Sequence, residues 1–134
     1  MLPIEELIIK LKEARNNSYA PYSKFYVGAV LECKDGTILL GSNVENASYG
    51  LTMCAERNVL FQAYNKGYRK GDFKRLSIIA DSNEITFPCG ACRQVIVELF
   101  NDDAPILCFN LDGSYKESSI KELMPYQFNE GNLK

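Results

Sequence analysis

Short β-branched and aromatic runs alternate with helical stripes along this chain, and that alternation restricts the fold more than any other feature. The run FYVGAVLEC (Phe25 to Cys33) is followed by Lys34-Asp35-Gly36 and then TILLGSN (Thr37 to Asn43), which reads as a β-hairpin around an Asp-Gly turn. Three more strands are expected at Arg75–Ala80, Pro105–Leu111 and near Tyr115–Ser118. Helical spacing sets Ile4, Leu7, Ile8 and Leu11 on one stripe, in a helix that closes around Asn16-Asn17. A second helix runs from Cys54 to about Lys66, with Ala55, Val59, Leu60 and Ala63 inward and Gly67 as its stop. A third follows Pro88 to about Phe100 through Cys92, Val95, Ile96 and Leu99. Ser119 with Glu122 three residues later predicts a capping box for a brief fourth helix. Alternating elements of this kind predict a five-stranded mixed sheet with helices on both faces, a three-layer α/β/α sandwich. With 134 residues, a single domain over 1–134 is expected.

Composition removes several functional classes. The formal net charge is −2, and no basic block is present, against any groove built to neutralise nucleic-acid phosphates. No apolar run approaches the ~18 residues of a membrane span, and MLPIEELIIKLKEAR lacks a signal-peptide cleavage pattern. A cytoplasmic protein with neither membrane nor nucleic-acid partner is expected. The chain contains no histidine, which excludes Ser–His–Asp and Cys–His nucleophilic devices and every zinc site that depends on imidazole. It does contain five cysteines, an odd number that points to reduced, metal-bound or core thiols before a disulfide framework.

Two segments concentrate chemistry, Cys54-Ala55-Glu56-Arg57 and Pro88-Cys89-Gly90-Ala91-Cys92-Arg93, and both lie where a loop enters an expected helix. Helix starts offer unpartnered N–H groups and a dipole that favours thiolate over thiol, the form that binds metal. Cys89 and Cys92 share one face of a turn, and Cys54 supplies a third sulfur if the two helices are neighbours. Three thiolates with one position left for water describe a catalytic zinc site, at which a water's pKa falls to about 7. Cys33 and Cys108, inside apolar strands, read as core residues. Glu56 is the candidate proton carrier. Three thiolates and a divalent zinc leave one net negative charge, and a hydrogen bond from Arg57 to a sulfur would offset it. Simpler readings remain beside this one. A lone CxxC also serves as a redox pair or as half of a structural zinc knuckle, and a glutamate at a helix start also serves as a dipole partner.

Cys-Ala-Glu-Arg followed by Pro-Cys-Gly-Ala-Cys-Arg-Gln-Val resembles the zinc nucleoside deaminases, and most specifically the small, homotetrameric type of the cytidine/deoxycytidylate deaminase family. The likeness extends to Pro21-Tyr22-Ser23-Lys24-Phe25, Val27-Gly28-Ala29, the stretch Asn43 to Tyr49, and Leu123-Met124-Pro125. It implies a cytidine deaminase-like sandwich that hydrolyses cytidine and 2′-deoxycytidine to the uridine forms with release of ammonia. One Zn2+ per subunit is implied at Cys54, Cys89 and Cys92, with Glu56 as proton shuttle. Asn43 and Glu45 match the pair that binds the ribose hydroxyls, Phe25 the aromatic on the pyrimidine face, and Ala55 a further substrate-binding position. Tyr49 matches a residue at the subunit junction and Phe128 an aromatic that covers a neighbour's pocket, so the resemblance implies a homotetramer with shared active sites. The chain departs from the family pattern at Asn58, where Thr is frequent, at Tyr26, where Pro is common, and in the tail around Phe128. The alternatives are a deaminase for a modified cytosine nucleoside such as a blasticidin-type antibiotic, and a non-catalytic zinc-binding interaction module.

Overall fold

In the computed structural model, which describes residues 1–133, the first helix α1 covers Ile4–Asn16 and leads through an irregular segment into β1 (Val27–Cys33) and β2 (Ile38–Ser42). Then come α2 (Ala55–Asn65), β3 (Phe73–Ala80), α3 (Gly90–Leu99), β4 (Ile106–Phe109), β5 (Tyr115–Ser118) and α4 (Ile120–Leu123). The five strands form one mixed sheet in the order β2-β1-β3-β4-β5, in which β3 and β4 are the parallel pair.

Side chains alternate across the sheet as the pleat requires, and both faces are covered. Leu7 and Leu11 of α1 pack on Val30, Ile79, Leu107 and Phe109 on one face. The intervening positions Ala29, Leu31, Ile78 and Cys108 face α2 and α3 on the other, among them Val59, Leu60 and Ile96. This is the expected three-layer sandwich. Cys33 and Cys108 are core residues, and burial pushes their thiols up to about 11 and about 12. Helix α1 lies hard against the start of β1 because Gly28 has no side chain. A Cβ there would fall 2.4 Å from the Leu11 carbonyl oxygen and 2.6 Å from the Arg15 nitrogen.

Among the described residues the one charged pair deep in the sheet, Arg75 against Glu32, sits at directly opposed positions of β3 and β1, with Nε 2.5 Å from Oε2. Glu32 also accepts from the Leu2 amide, and Arg75 donates to the Leu2 carbonyl. The buried charges are therefore paired and hydrogen-bonded, and they anchor the N-terminal residues.

Several boundaries differ from the sequence reading. Phe25 and Tyr26 stand outside β1, because Lys24 adopts a left-handed conformation (φ 59°) and the Tyr26 amide donates to Asp81 instead of a strand partner. Strand β3 begins two residues early, at Phe73, and β4 ends two residues early, at Phe109. Cys54 and Cys89 are not the first residues of helices but their N-caps. Ser119 caps α4 as expected, its hydroxyl accepting from the Glu122 amide.

Candidate active site

The topology brings the two cysteine motifs together. Strands β2 and β3 are both antiparallel to β1, which lies between them, so they point the same way. Each is followed by a helix on the same face of the sheet, and α2 and α3 therefore start at the same end of it. The sequence reading required neighbouring helices; they are neighbours although a strand of opposite direction separates β2 from β3.

Cys54 caps α2, Cys89 caps α3, and Cys92 lies one turn into α3. Their three Sγ atoms all lie within 4.8 Å of one another. Tetrahedral zinc with thiolate ligands holds its sulfurs about 3.8 Å apart, so these donors need close only slightly on an ion. No other group of three His, Cys, Asp or Glu among the described residues is so placed. The neighbouring Cys92 sulfur foremost, together with the Arg57 guanidinium through a hydrogen bond from Nη2 at 3.4 Å, holds the Cys54 thiol well below the ordinary cysteine value. Cys92 is shifted up for the complementary reason, its proton being shared with Cys54, and by burial. Metal binding must displace that proton. The donor set is all sulfur, contributes three ligands and leaves a position free, as a catalytic zinc site requires.

Glu56, in the first turn of α2, is 5% exposed, and burial pushes its carboxyl up to about 7. It lines a cavity of about 200 Å³ together with Cys54, Cys89, Phe25, Asn43 and Glu45. Tyr49, in a 3-10 turn (Tyr49–Leu51), contributes to the rim. Sequence reasoning missed Ser23, Thr52, Thr86 and Phe87 of the same wall. Ser23 lay inside a matched motif, and Phe87 is an aromatic two residues before Cys89; the other two carried no distinctive signal.

Asn43 and Glu45 follow β2 and turn their polar atoms onto the segment that carries Phe25. The Asn43 amide accepts from the Val27 N–H at 2.9 Å and donates to the Phe25 carbonyl at 2.8 Å. Glu45 Oε1 accepts from the Tyr22 and Ser23 amides, and Oε2 from the Ser23 hydroxyl. The Ser23 hydroxyl foremost holds the Glu45 carboxyl below the usual carboxylate range. Ser23 Oγ in turn accepts from the Phe25 amide. The side chain of Ala55 is fully buried in the core, which leaves only its backbone to face a ligand. Phe128 is outside the cavity wall and 57% exposed, its carbonyl accepting from Gln94.

Residues 2–108 match the family described as the cytidine and deoxycytidylate deaminase zinc-binding region, a span that contains all three sulfurs and Glu56. The chain belongs to this deaminase family. A cytidine deaminase of Sporosarcina psychrophila is 45% identical over 132 residues, covering 98% of this chain and 96% of that protein. One from Halalkalibacterium halodurans is 48% identical over 122 residues, 91% of each. The crystal structure of a cytidine deaminase from Burkholderia pseudomallei superposes with a TM-score of 0.91 at 43% identity, over 95% of this chain and all (100%) of that one. The deaminase family's zinc region and the thiolate group found here agree on the cofactor, one zinc ion.

Proposed function

We propose that this chain is a cytidine deaminase, a hydrolase acting on the C–N bond of a cyclic amidine, that converts cytidine and 2′-deoxycytidine to uridine and 2′-deoxyuridine with release of ammonia. The observation that carries the reading is a buried carboxyl, Glu56, in one cavity with a three-thiolate group and a polar pair suited to a sugar. When bound at Cys54, Cys89 and Cys92, zinc supplies the Lewis acidity that makes a water nucleophilic at neutral pH.

The protein's own groups do the rest. Phe25 offers an apolar face to the pyrimidine ring. The Asn43 amide has a second N–H and a second lone pair, and Glu45 keeps one unused lone pair on Oε2, so both can bind ribose hydroxyls while holding the loop. A backbone N–H in the first turn of α2, at Ala55, is free to donate to the ring. Glu56 takes the proton from the attacking water and delivers it to N3 of cytosine as C4 becomes tetrahedral. It then takes the remaining hydroxyl proton from C4–OH and passes it to the amine, so that the C4 carbonyl of uridine forms as the C–N bond breaks and ammonia departs. Arg57, on Cys54, offsets the excess negative charge of the sulfurs. Relatives named cytidine deaminase at 45% and 48% identity support this assignment.

The proposal extends to the assembly. Tyr49 and Phe128 are each 57% exposed, and we take Tyr49 to lie at the subunit junction and Phe128 to cover a neighbouring subunit's pocket in a homotetramer. Reliance on reduced thiolates fits a cytoplasmic enzyme of pyrimidine salvage, acting as one domain.

The test is direct. Protein holding one zinc per chain should lower the ultraviolet absorbance of cytidine as uridine forms. Glu56→Gln should keep zinc and fold and lose turnover by about 10²- to 10⁴-fold. Zinc-replete protein that leaves cytidine unchanged overturns the assignment and favours a zinc-binding interaction module; near-normal activity in the variant overturns the role of Glu56.

A further inference from the structure

Strand β2 is the outer strand of the sheet, and an outer strand presents alternate carbonyls with no strand partner. The bonds Cys33 N–H to Thr37 and Asn43 N–H to Val27 mark which positions face β1, so the carbonyls of Leu40 and Ser42 point outward. Helix α2 takes both. The Asn58 amide donates to the Ser42 carbonyl at 2.6 Å, and the Gln62 amide donates to the Leu40 carbonyl at 2.8 Å. The spacing explains the match. Four helical residues rise about 6 Å, and two strand residues rise about 6.8 Å, so one helix face can follow a strand edge for two contacts. Gly41, between the two carbonyls, lets the helix come this close: a Cβ there would lie 2.8 Å from Val59 Cβ and 2.9 Å from the Ala55 carbonyl oxygen.

The two braces differ in what they adjoin. Ser42 immediately precedes Asn43, and Asn58 lies two residues beyond Glu56 on α2. On the other side of Asn43, Val44 exchanges two backbone hydrogen bonds of 2.9 Å with Met53, the residue before Cys54. Asn43 is thus bracketed by one tie to the residue before the metal cluster and one tie to the helix behind the proton carrier. Gln62 repeats the chemistry of Asn58 one turn farther from the site.

We propose that Asn58 is a positioning residue, whose bond to Ser42 sets the distance between the sugar-binding pair, Asn43 and Glu45, and the reacting end at Cys54 and Glu56. This rests on the reading of the chain as a cytidine deaminase. The ladder holds β2 to β1, so without the brace it is the outer edge at Ser42 that loses its fixed distance from α2, and Asn43 next to it shifts relative to Glu56. A hydrogen bond to a sugar hydroxyl weakens steeply with such a displacement, whereas the Phe25 ring tolerates it, because apolar contact is not directional. Asn58 therefore acts on sugar recognition more than on base contact.

The experiment compares kcat/KM for cytidine and for 2′,3′-dideoxycytidine, which lacks both hydroxyls, the latter as substrate or as competitive inhibitor where turnover is slow. Asn58→Ala should lower the value for cytidine about tenfold, within the ~10²-fold that a 1 Å misplacement can cost, and leave the dideoxynucleoside within about threefold. Gln62→Ala removes the same kind of bond from the same strand and should leave the ratio of the two values at that of the wild type. Both values are taken per active site, counted by bound zinc, so lowered stability alone does not move the ratio. Should Asn58→Ala fail to fold, Asn58→Ser keeps a polar side chain on α2, but one too short to reach Ser42, and should show the same fall. An unchanged ratio in the Asn58 variants, or an equal shift in Gln62→Ala, overturns the proposal. A wild-type protein inert toward both nucleosides refutes the deaminase reading itself, a separate and recognisable result.

Discussion

Asn43→Ala should damage the protein in two separable ways, because the amide holds the Phe25 segment as well as facing the cavity. Asn43 is 7% exposed, and the substitution leaves the Val27 N–H and the Phe25 carbonyl without their partners. Leaving a buried polar group unpaired costs about 1–3 kcal/mol. Both groups lie at the wall of a cavity that water can enter, so the lower part of that range applies to each, about 2–4 kcal/mol together. At a urea dependence of about 2 kcal/mol per molar, the unfolding midpoint should fall by roughly 1–2 M. Zinc and protein concentration must be fixed, since metal binding and assembly both add apparent stability. Turnover of cytidine should fall with the loss of the amide at the sugar. Turnover of 2′,3′-dideoxycytidine should fall as well, because Phe25 is no longer held, and this separates Asn43→Ala from Asn58→Ala. An unchanged midpoint with undiminished dideoxycytidine turnover would refute the reasoning and leave Asn43 as a ligand contact alone.

Two further outcomes follow from particular contacts. Arg57→Ala removes the cationic donor 3.4 Å from Cys54 Sγ, and zinc should then be lost at a chelator concentration about tenfold lower, a typical effect of a group hydrogen-bonded to a metal ligand; unchanged zinc retention and turnover would refute it. Gly28→Ala drives a methyl group into the backbone of α1, which has no flexible side chain to yield, at a cost of about 1–3 kcal/mol or more in denaturant unfolding. Because Arg15 of α1 pairs with Asp81, which holds the Tyr26 amide, cytidine turnover should decline with it; normal stability would show that α1 is not seated as described.

The metal cluster was legible because its information is local. Each cysteine motif sits at a helix start, and a helix start fixes where a capping side chain points. That the two helices are neighbours was only a condition in the sequence, and the sheet supplies it, since strands of like direction return the chain to the same end of the sheet. What could not be read is the set of contacts that cross large sequence distances. The apolar character of Phe25 and Tyr26 argues for strand, yet the Tyr26 amide is claimed by Asp81 and the Phe25 carbonyl by Asn43, neither of them near in sequence. Lys24 adopts φ 59°, a left-handed conformation that its residue type does not announce. Asn43 and Glu45 show the same limit in another form. The resemblance to the deaminases assigned them to a sugar, while the loop that also occupies them is some twenty positions upstream.

That double occupation bears on how the site recognises a nucleoside. The polar pair, the Ser23 hydroxyl and the Phe25 backbone form one continuous network, so the residues read as sugar contacts also set the place of the residue read as a base contact. Sugar and base recognition are then not independent terms. Substitutions at Asn43, Glu45 and Ser23 should couple to one another and to Phe25 instead of adding, as groups in one hydrogen-bonded network do. The network is joined to the metal and acid side at few places, the Val44–Met53 bridge and the Asn58 bond among them. A wall that is rigid within itself and tied to the reacting end at discrete points shifts as a unit when a tie is lost, and its directional hydrogen bonds to the sugar suffer from that shift more than its apolar contact with the base. This is the physical reason that a hydrogen bond on the back of α2, out of reach of any substrate, belongs to the catalytic geometry.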